Sequence, residues 1–242
     1  MSLKPTDRWR LNTRELSWKG CVNARDLGGL GQIRPGAVVR MEAPRRLTEA
    51  GWAAAWAHGA RTVVDLRDVG EREPDRAPRP TGITTVHAPL DPVGTPFYEH
   101  WKSIDNLASP LYFPAMLAEQ PQPVITAVRA IARAAPGCVV FHCAGGKDRT
   151  GLLALVLLTL ARATPGDIIA DYLLSYDRMK QRYDELGARD QLTAVTELLA
   201  SRGTTIEASL TSTIASLTMP GFLLQHGLSG TELAALHARL TT

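Results

Sequence analysis

The stretch 137–161, "GCVVFHCAGGKDRTGLLALVLLTLA", starts an apolar run, breaks it for the ten residues His142 to Gly151, and then resumes it. Cys138 to Phe141 is short, apolar at every position and valine-rich, the pattern of a strand buried on both faces. From Asp148 the chain is long enough for a helix and is apolar on most sides, so it too belongs in a core. A glycine-rich turn between a buried strand and a helix N-terminus aims several backbone N–H groups at one point, where the aligned peptide dipoles add partial positive charge. Such a turn holds an anion, here with Ala144, Gly145, Gly146, Lys147, Asp148 and Arg149 around it.

The residue types in the break narrow the chemistry. Cys143 ends the strand and Arg149 follows six positions later, so the loop can curl until the guanidinium lies beside the sulfur, its fork of donors matched to two phosphate oxygens. The same positive surroundings favour the thiolate, a nucleophile aimed at phosphorus. Gly145 and Gly146 allow close backbone approach, Thr150 is placed to hydrogen-bond the sulfur, and His142 is placed to order the loop from behind. Lys147 adds a second cation, which would favour substrates carrying a further phosphate or acid. A Walker A loop is excluded, because Asp148 stands where serine or threonine must follow the lysine. A lone buried cysteine is ordinarily structural; the conjunction of His142, Cys143, the glycine pair, Arg149 and Thr150 argues otherwise.

Working outward, "ARTVVDLR" (60–67) and "GITTVHAPL" (82–90) read as strands joined by the proline-rich segment 68–82. Arg67, Arg72, Arg76 and Arg79 interleave there with Asp68, Glu71, Glu73 and Asp75, the pattern of a solvated loop. Residues 91–120 carry prolines and scattered aromatics without a clean period, which predicts an insertion folded over the site as a lid. Val124, Ile125, Val128, Ile131 and Ala132 are spaced as a helix face that stops at Pro136-Gly137. Thr164 and Pro165 cap and open another helix, and three more follow, the last capped by Ser229 or Thr231. Trp52 and Trp56, four apart, predict the core-facing side of a helix. Helices alternating with short strands predict an α/β fold, here one domain over 1–242.

Length and composition agree. A chain of 242 residues with 45% hydrophobic content can bury one sizeable core. Its net charge of +3 comes from 27 basic and 24 acidic residues spread along the chain, which argues against a nucleic-acid arm or a polybasic membrane tail. Cys21, Cys138 and Cys143 form no disulfide framework and no zinc-ligand spacing, which predicts a reducing, cytoplasmic setting. Cys138 and Cys143 stand an odd number of positions apart, so their side chains leave opposite faces of a strand. The first sixteen residues are charged where a leader peptide is apolar, and the longest apolar run falls short of the ~18 residues of a membrane span.

The loop resembles the His-Cys-x5-Arg-Ser/Thr signature of cysteine-dependent tyrosine and dual-specificity phosphatases. Its filling, "HCAGGKDRTG", is similar to that of the atypical bacterial tyrosine phosphatases, some of which also accept phosphoinositides. "NARDLGGL" (23–30), "VVDLRDVGERE" (63–73), "DIIADYLLSY" (167–176) and "GLSGTELAAL" (227–236) resemble further elements of that group in the same order, with Met41 departing from a common serine. The resemblance implies a mostly parallel sheet of four or five strands flanked by helices. It also implies a metal-free, cofactor-free reaction in which Cys143 takes the phosphoryl group and Arg149 stabilises it. Asn23, Arg25 and Asp26 would support the loop. The resemblance implies Asp148 in the loop as the proton donor, with Asp91 after the second strand and Asp65 in "VVDLR" as the alternatives. The expected substrate is a phosphorylated protein or phosphoinositide. A phosphorylated metabolite is the alternative, and a phosphate-binding module without turnover a further one.

Overall fold

The computed structural model describes residues 14–241; residues 1–13, most of the stretch read above against a leader peptide, lie outside it. Five strands form one sheet: β1 (Arg25–Asp26), β2 (Val38–Met41), β3 (Ala60–Asp65), β4 (Thr84–His87) and β5 (Cys138–His142). Their order is β1-β2-β5-β3-β4, parallel throughout except where β1 meets β2. The strand that ends at Cys143 therefore lies in the middle, and its carboxyl end opens between those of β2 and β3, where ligands of open α/β sheets bind.

Side-chain alternation divides the core between the two faces of the sheet. Val139 and Phe141 of β5 join Val38 and Val64 on one face; Cys138 and Val140 join Val39, Met41 and Val63 on the other. Cys138 and Cys143 thus occupy different core clusters, as their odd spacing predicts. The second face is covered by α1 (Glu49–Ala57), which buries Trp52. Trp56 departs from the core-facing expectation: it is only partly buried and carries the Arg61 guanidinium 3.5 Å from its ring centroid.

The first face carries the helices that build the site. Segment 91–120 contains α2 (Pro96–Ser103) and α3 (Tyr112–Glu119); Pro96 opens α2, and Pro114 inside α3 breaks the helical pattern a sequence reader looks for. Phe97, Trp101 and Tyr112 stack together and tie these helices to the core. Then come α4 (Pro121–Arg133), α5 (Asp148–Leu160), whose residues Thr150 to Leu158 are all buried, and α6 (Pro165–Glu185), capped by Thr164. After α7 (Gln191–Ser201), α8 (Ile206–Ser216) and α9 (Gly221–Gln225), the chain closes with α10 (Gly230–Thr241). Ser229 and Glu232 form a reciprocal cap on α10, so Ser229, not Thr231, starts it. Among the described residues no helix is long and apolar enough to cross a membrane.

Candidate active site

Between β5 and α5 every carbonyl from Cys143 to Lys147 is tied back to the protein. The Cys143 carbonyl faces His142 Nδ1 at 3.0 Å, and that of Ala144 accepts from the Ala43 amide at 2.9 Å. Gly145 accepts from Asn23 Nδ2 at 3.0 Å, Gly146 from an Arg40 guanidinium nitrogen at 2.8 Å, and Lys147 from the Gly151 amide at 2.7 Å. A peptide unit whose carbonyl is drawn backward turns its N–H forward. The amides of Ala144, Gly145, Gly146 and Lys147 donate to no protein acceptor among the described residues. Amides so left, those of Gly146 and Lys147 in buried residues and those of Ala144 and Gly145 in exposed and half-buried ones, are a fixed set of donors for an anion. Gly146, at φ +67°, makes the curl possible: a Cβ there would meet the Met41 carbonyl oxygen at 2.4 Å.

The scaffold behind the loop is a buried ion cluster. Asp171 of α6 accepts from Arg25 at 2.9 Å and Arg40 at 2.6 Å and pairs with Arg14 at 3.1 Å, while Ser175, one turn on, accepts from Arg25 and Arg40. Burial works to raise the Asp171 pKa, and the charges of Arg25, Arg40 and Arg14 overcome it, holding the carboxyl well below the usual range. Arg25 in turn donates to Asn23 Oδ1 at 2.6 Å, which aims the Asn23 amide at the loop. Asn23 thus donates to the loop directly and Arg25 reaches it through Asn23. Asp26 does not: it accepts from the amides of Gly28 and Gly36 and faces His58, so it shapes the turn after β1.

Cys143 is buried at the strand end, and Arg149 lies in the first turn of α5. Both terminal nitrogens of Arg149 donate to the Glu71 carboxylate, and its Nε lies 3.4 Å from Asp91. Burial opposes the Arg149 charge, but the Glu71 hydrogen bond and the charges of Cys143 and Asp91 hold it above the ordinary arginine range. Segment 68–82 is therefore not wholly a solvated loop, since Glu71 meets Arg149, and Arg67 just before it is buried against Asp65.

The three aspartates stand in different surroundings. Burial raises the Asp91 pKa to about 6, with Glu71, Asp148 and Asp68 adding to the rise and Arg149 opposing it. Burial also works to raise Asp65, but the Arg67 hydrogen bonds overcome it and hold Asp65 at about 2. Asp148 accepts from the Tyr172 hydroxyl at 3.3 Å and lies 3.6 Å from Lys147 Nζ. Lys147 is neither solvated nor spread over the loop mouth: it is buried with its ammonium 4.5 Å from the Tyr176 ring centroid. The Thr150 hydroxyl makes no hydrogen bond among the described residues, to the sulfur or elsewhere, in contrast to the expectation from sequence.

A sequence model described as the tyrosine phosphatase family matches residues 16–242. The chain belongs to the tyrosine phosphatase family. A Cupriavidus necator protein named "Putative tyrosine-protein phosphatase" is 30% identical over 220 residues, covering 81% of this chain and 77% of that protein. A "Tyrosine-protein phosphatase" of Nostoc commune is 33% identical over 144 residues, 57% of this chain and 48% of its own. The protein is a phosphatase, and its α/β fold is the one the resemblance implies.

Behind the phosphatase loop, His142 gives a stability prediction. Burial, partly offset by Asp65, lowers its pKa from 6.5 to about 4, so the native ring is neutral where an unfolded one takes a proton. The unfolded state binds more protons between those two values, so stability falls as pH drops from about 6.5 to about 4, by about 3 kcal/mol from this group. Urea unfolding across that range should show the wild-type curve falling more steeply than that of His142→Asn; parallel curves would refute it.

The residues that sequence reasoning left without a role are Arg40, Ala43, Glu71, Asp171 and Ser175. Only one signal for them was available: Asp171 and Ser175, four apart in "DIIADYLLSY", share a helix face. The others come from two separate segments, 40–43 and the turn at Glu71, that only the folded chain brings to the loop.

Proposed function

We propose that this phosphatase hydrolyses phosphotyrosine through a phosphocysteine on Cys143, with phosphoserine, phosphothreonine or phosphoinositide turnover as side activities of the same cradle. The observation that carries this reading is the loop whose carbonyls are all held back and whose amides face forward around Cys143 and Arg149. In the first step the Cys143 thiolate bonds to phosphorus while the bond to the leaving oxygen breaks. The loop amides, and Arg149 once it exchanges the Glu71 carboxylate for the phosphoryl group, hold the equatorial oxygens, and a carboxylic acid protonates the departing oxygen. In the second step water bonds to phosphorus and gives its proton to the same carboxylate. The sulfur–phosphorus bond then breaks, releasing orthophosphate and restoring the thiolate.

Asp91 is assigned here as that acid. A pKa near 6 and a place beside Arg149 suit a group that must be protonated in one step and ionised in the next. Asp65 is bound to Arg67 as a carboxylate, and Asp148 faces α6 as an acceptor for Tyr172 and a partner for Lys147. Asp91→Asn is expected to lower kcat on phenyl phosphate by about 100-fold, with a smaller loss on p-nitrophenyl phosphate, whose leaving group needs less help. The fall in wild-type kcat above pH 6 should vanish with it. The same signature in Asp148→Asn, and not in Asp91→Asn, would transfer the role to the loop aspartate.

The intermediate itself is tested by acid quenching the enzyme within one turnover of a phosphotyrosine peptide. Intact-protein mass spectrometry should find one added phosphoryl group on wild type and none on Cys143→Ser. Turnover without that adduct would overturn the covalent route.

A further inference from the structure

Beside the phosphate loop lies a cavity of about 230 Å³ whose walls away from the loop have no part in the chemical steps above. It meets the loop at Ala144 and Gly145, so a group filling it would be joined to the reacting phosphate by a short link. One wall is the last part of α6, where Met179 and Tyr183 fall at helical spacing on one face, with Leu186 at its C-cap. Leu186 is 64% exposed at the mouth, and the Tyr183 hydroxyl sits 2.7 Å from where a Cβ on Gly145 would stand.

The rim is cationic and incompletely neutralised. Arg45 is paired with Glu73, but Arg46 reaches Glu185 only at 3.9 Å and Arg182 reaches Glu42 only at 3.9 Å. Glu42 is already committed to the amides of Val22 and Asn23 and to the Cys21 thiol. The Arg46 pKa is lowered, first by Arg182 and further by Arg45 and Arg76, the sign of like charges crowded together. A carboxylate delivered to this rim would relieve that repulsion and take fork-shaped donors.

We infer that this cavity receives an acidic side chain flanking the phosphotyrosine of a peptide substrate, with Arg46 and Arg182 as the specificity-determining cations. The inference rests on the tyrosine phosphatase reading above. The wall favours a peptide over an inositol phosphate: a polyol would leave hydroxyls unpaired against Met179, Tyr183 and Leu186, whereas a phenyl ring and a side-chain stem bury apolar surface there.

Binding tests this without needing turnover. In the full chain carrying Cys143→Ser, fluorescence anisotropy would compare phosphotyrosine peptides that differ only in glutamate or glutamine beside the phosphotyrosine. The glutamate peptide should bind about tenfold more tightly at low ionic strength. Arg46→Gln with Arg182→Gln should bring that ratio below about twofold, and lysine at both positions should keep most of it. The ratio is the readout because a merely structural loss would weaken both peptides alike. Equal binding of the two peptides by the parent chain would overturn the subsite and leave the phosphatase reading standing. Arginine-dependent binding of inositol bisphosphate tighter than that of the glutamate peptide would also overturn it. Failure of both peptides to bind, with inorganic phosphate still bound, would remove the phosphotyrosine reading and the subsite together.

Discussion

Cys143→Ser is expected to lower p-nitrophenyl phosphate hydrolysis by about 10⁴-fold or more, in buffer containing chelator and reductant. A serine hydroxyl is un-ionised near neutral pH and needs a base beside it to attack. None is in place: His142 turns Nδ1 to the Cys143 carbonyl, and Asp65 is bound to Arg67. The cradle is untouched by the change, since its donors are loop amides and Arg149, so orthophosphate and vanadate should bind the variant nearly as well as the wild type. Loss of turnover with binding retained assigns the chemistry to the sulfur. Turnover near the wild-type level would overturn the cysteine mechanism. Loss of both turnover and anion binding would show that Cys143 also shapes the cradle.

Asp171→Ala is expected to cost about 3–5 kcal/mol of stability, the scale on which removing one partner strands buried charge. Asp171 is fully buried, and the Arg14, Arg25 and Arg40 guanidiniums that it pairs are almost so. Without the carboxylate three cations repel one another away from water. The loss is a large part of the roughly 5–15 kcal/mol that holds a domain together, so urea unfolding reads it directly. Asp171→Asn keeps the shape and one acceptor oxygen, and its cost should be smaller. It should also raise KM for small phosphate esters, because Arg40 and Arg25 link Asp171 to the Gly146 carbonyl and to Asn23. A variant as stable as wild type would mean that the cluster is not a support for the loop.

Much of this site was legible before folding. His142 to Gly151 is one contiguous segment, and its conformation follows from a buried strand, two glycines and a helix start. The α/β order could be read too, because Val139, Val140 and Phe141 are apolar without a break and α4 repeats at helical spacing. Segment 91–120 was harder, since Pro96 and Pro114 interrupt the pattern of the two helices that form there. Lys147 and Thr150 were placed beside the ligand by their position in the loop. Their side chains leave a backbone that the sequence describes well in directions it does not describe: Lys147 turns to the Tyr176 ring, and Thr150 makes no bond to the sulfur.

By itself, then, the sequence set out the loop from Ala144 to Arg149 with the proposed nucleophile Cys143 and the proposed phosphate-binding Arg149, because those groups are neighbours along the chain and local backbone geometry suffices to bring them together. Tertiary structure alone decided the rest: that the pKa of Asp91 beside Arg149 is raised while that of Asp65 beside Arg67 is lowered, that Glu71 takes the Arg149 fork, and that Asp171 gathers three arginines behind the loop. The reason is physical. A carboxylate's proton affinity depends on which charges lie within a few ångströms and how much water remains, and packing between distant segments sets both.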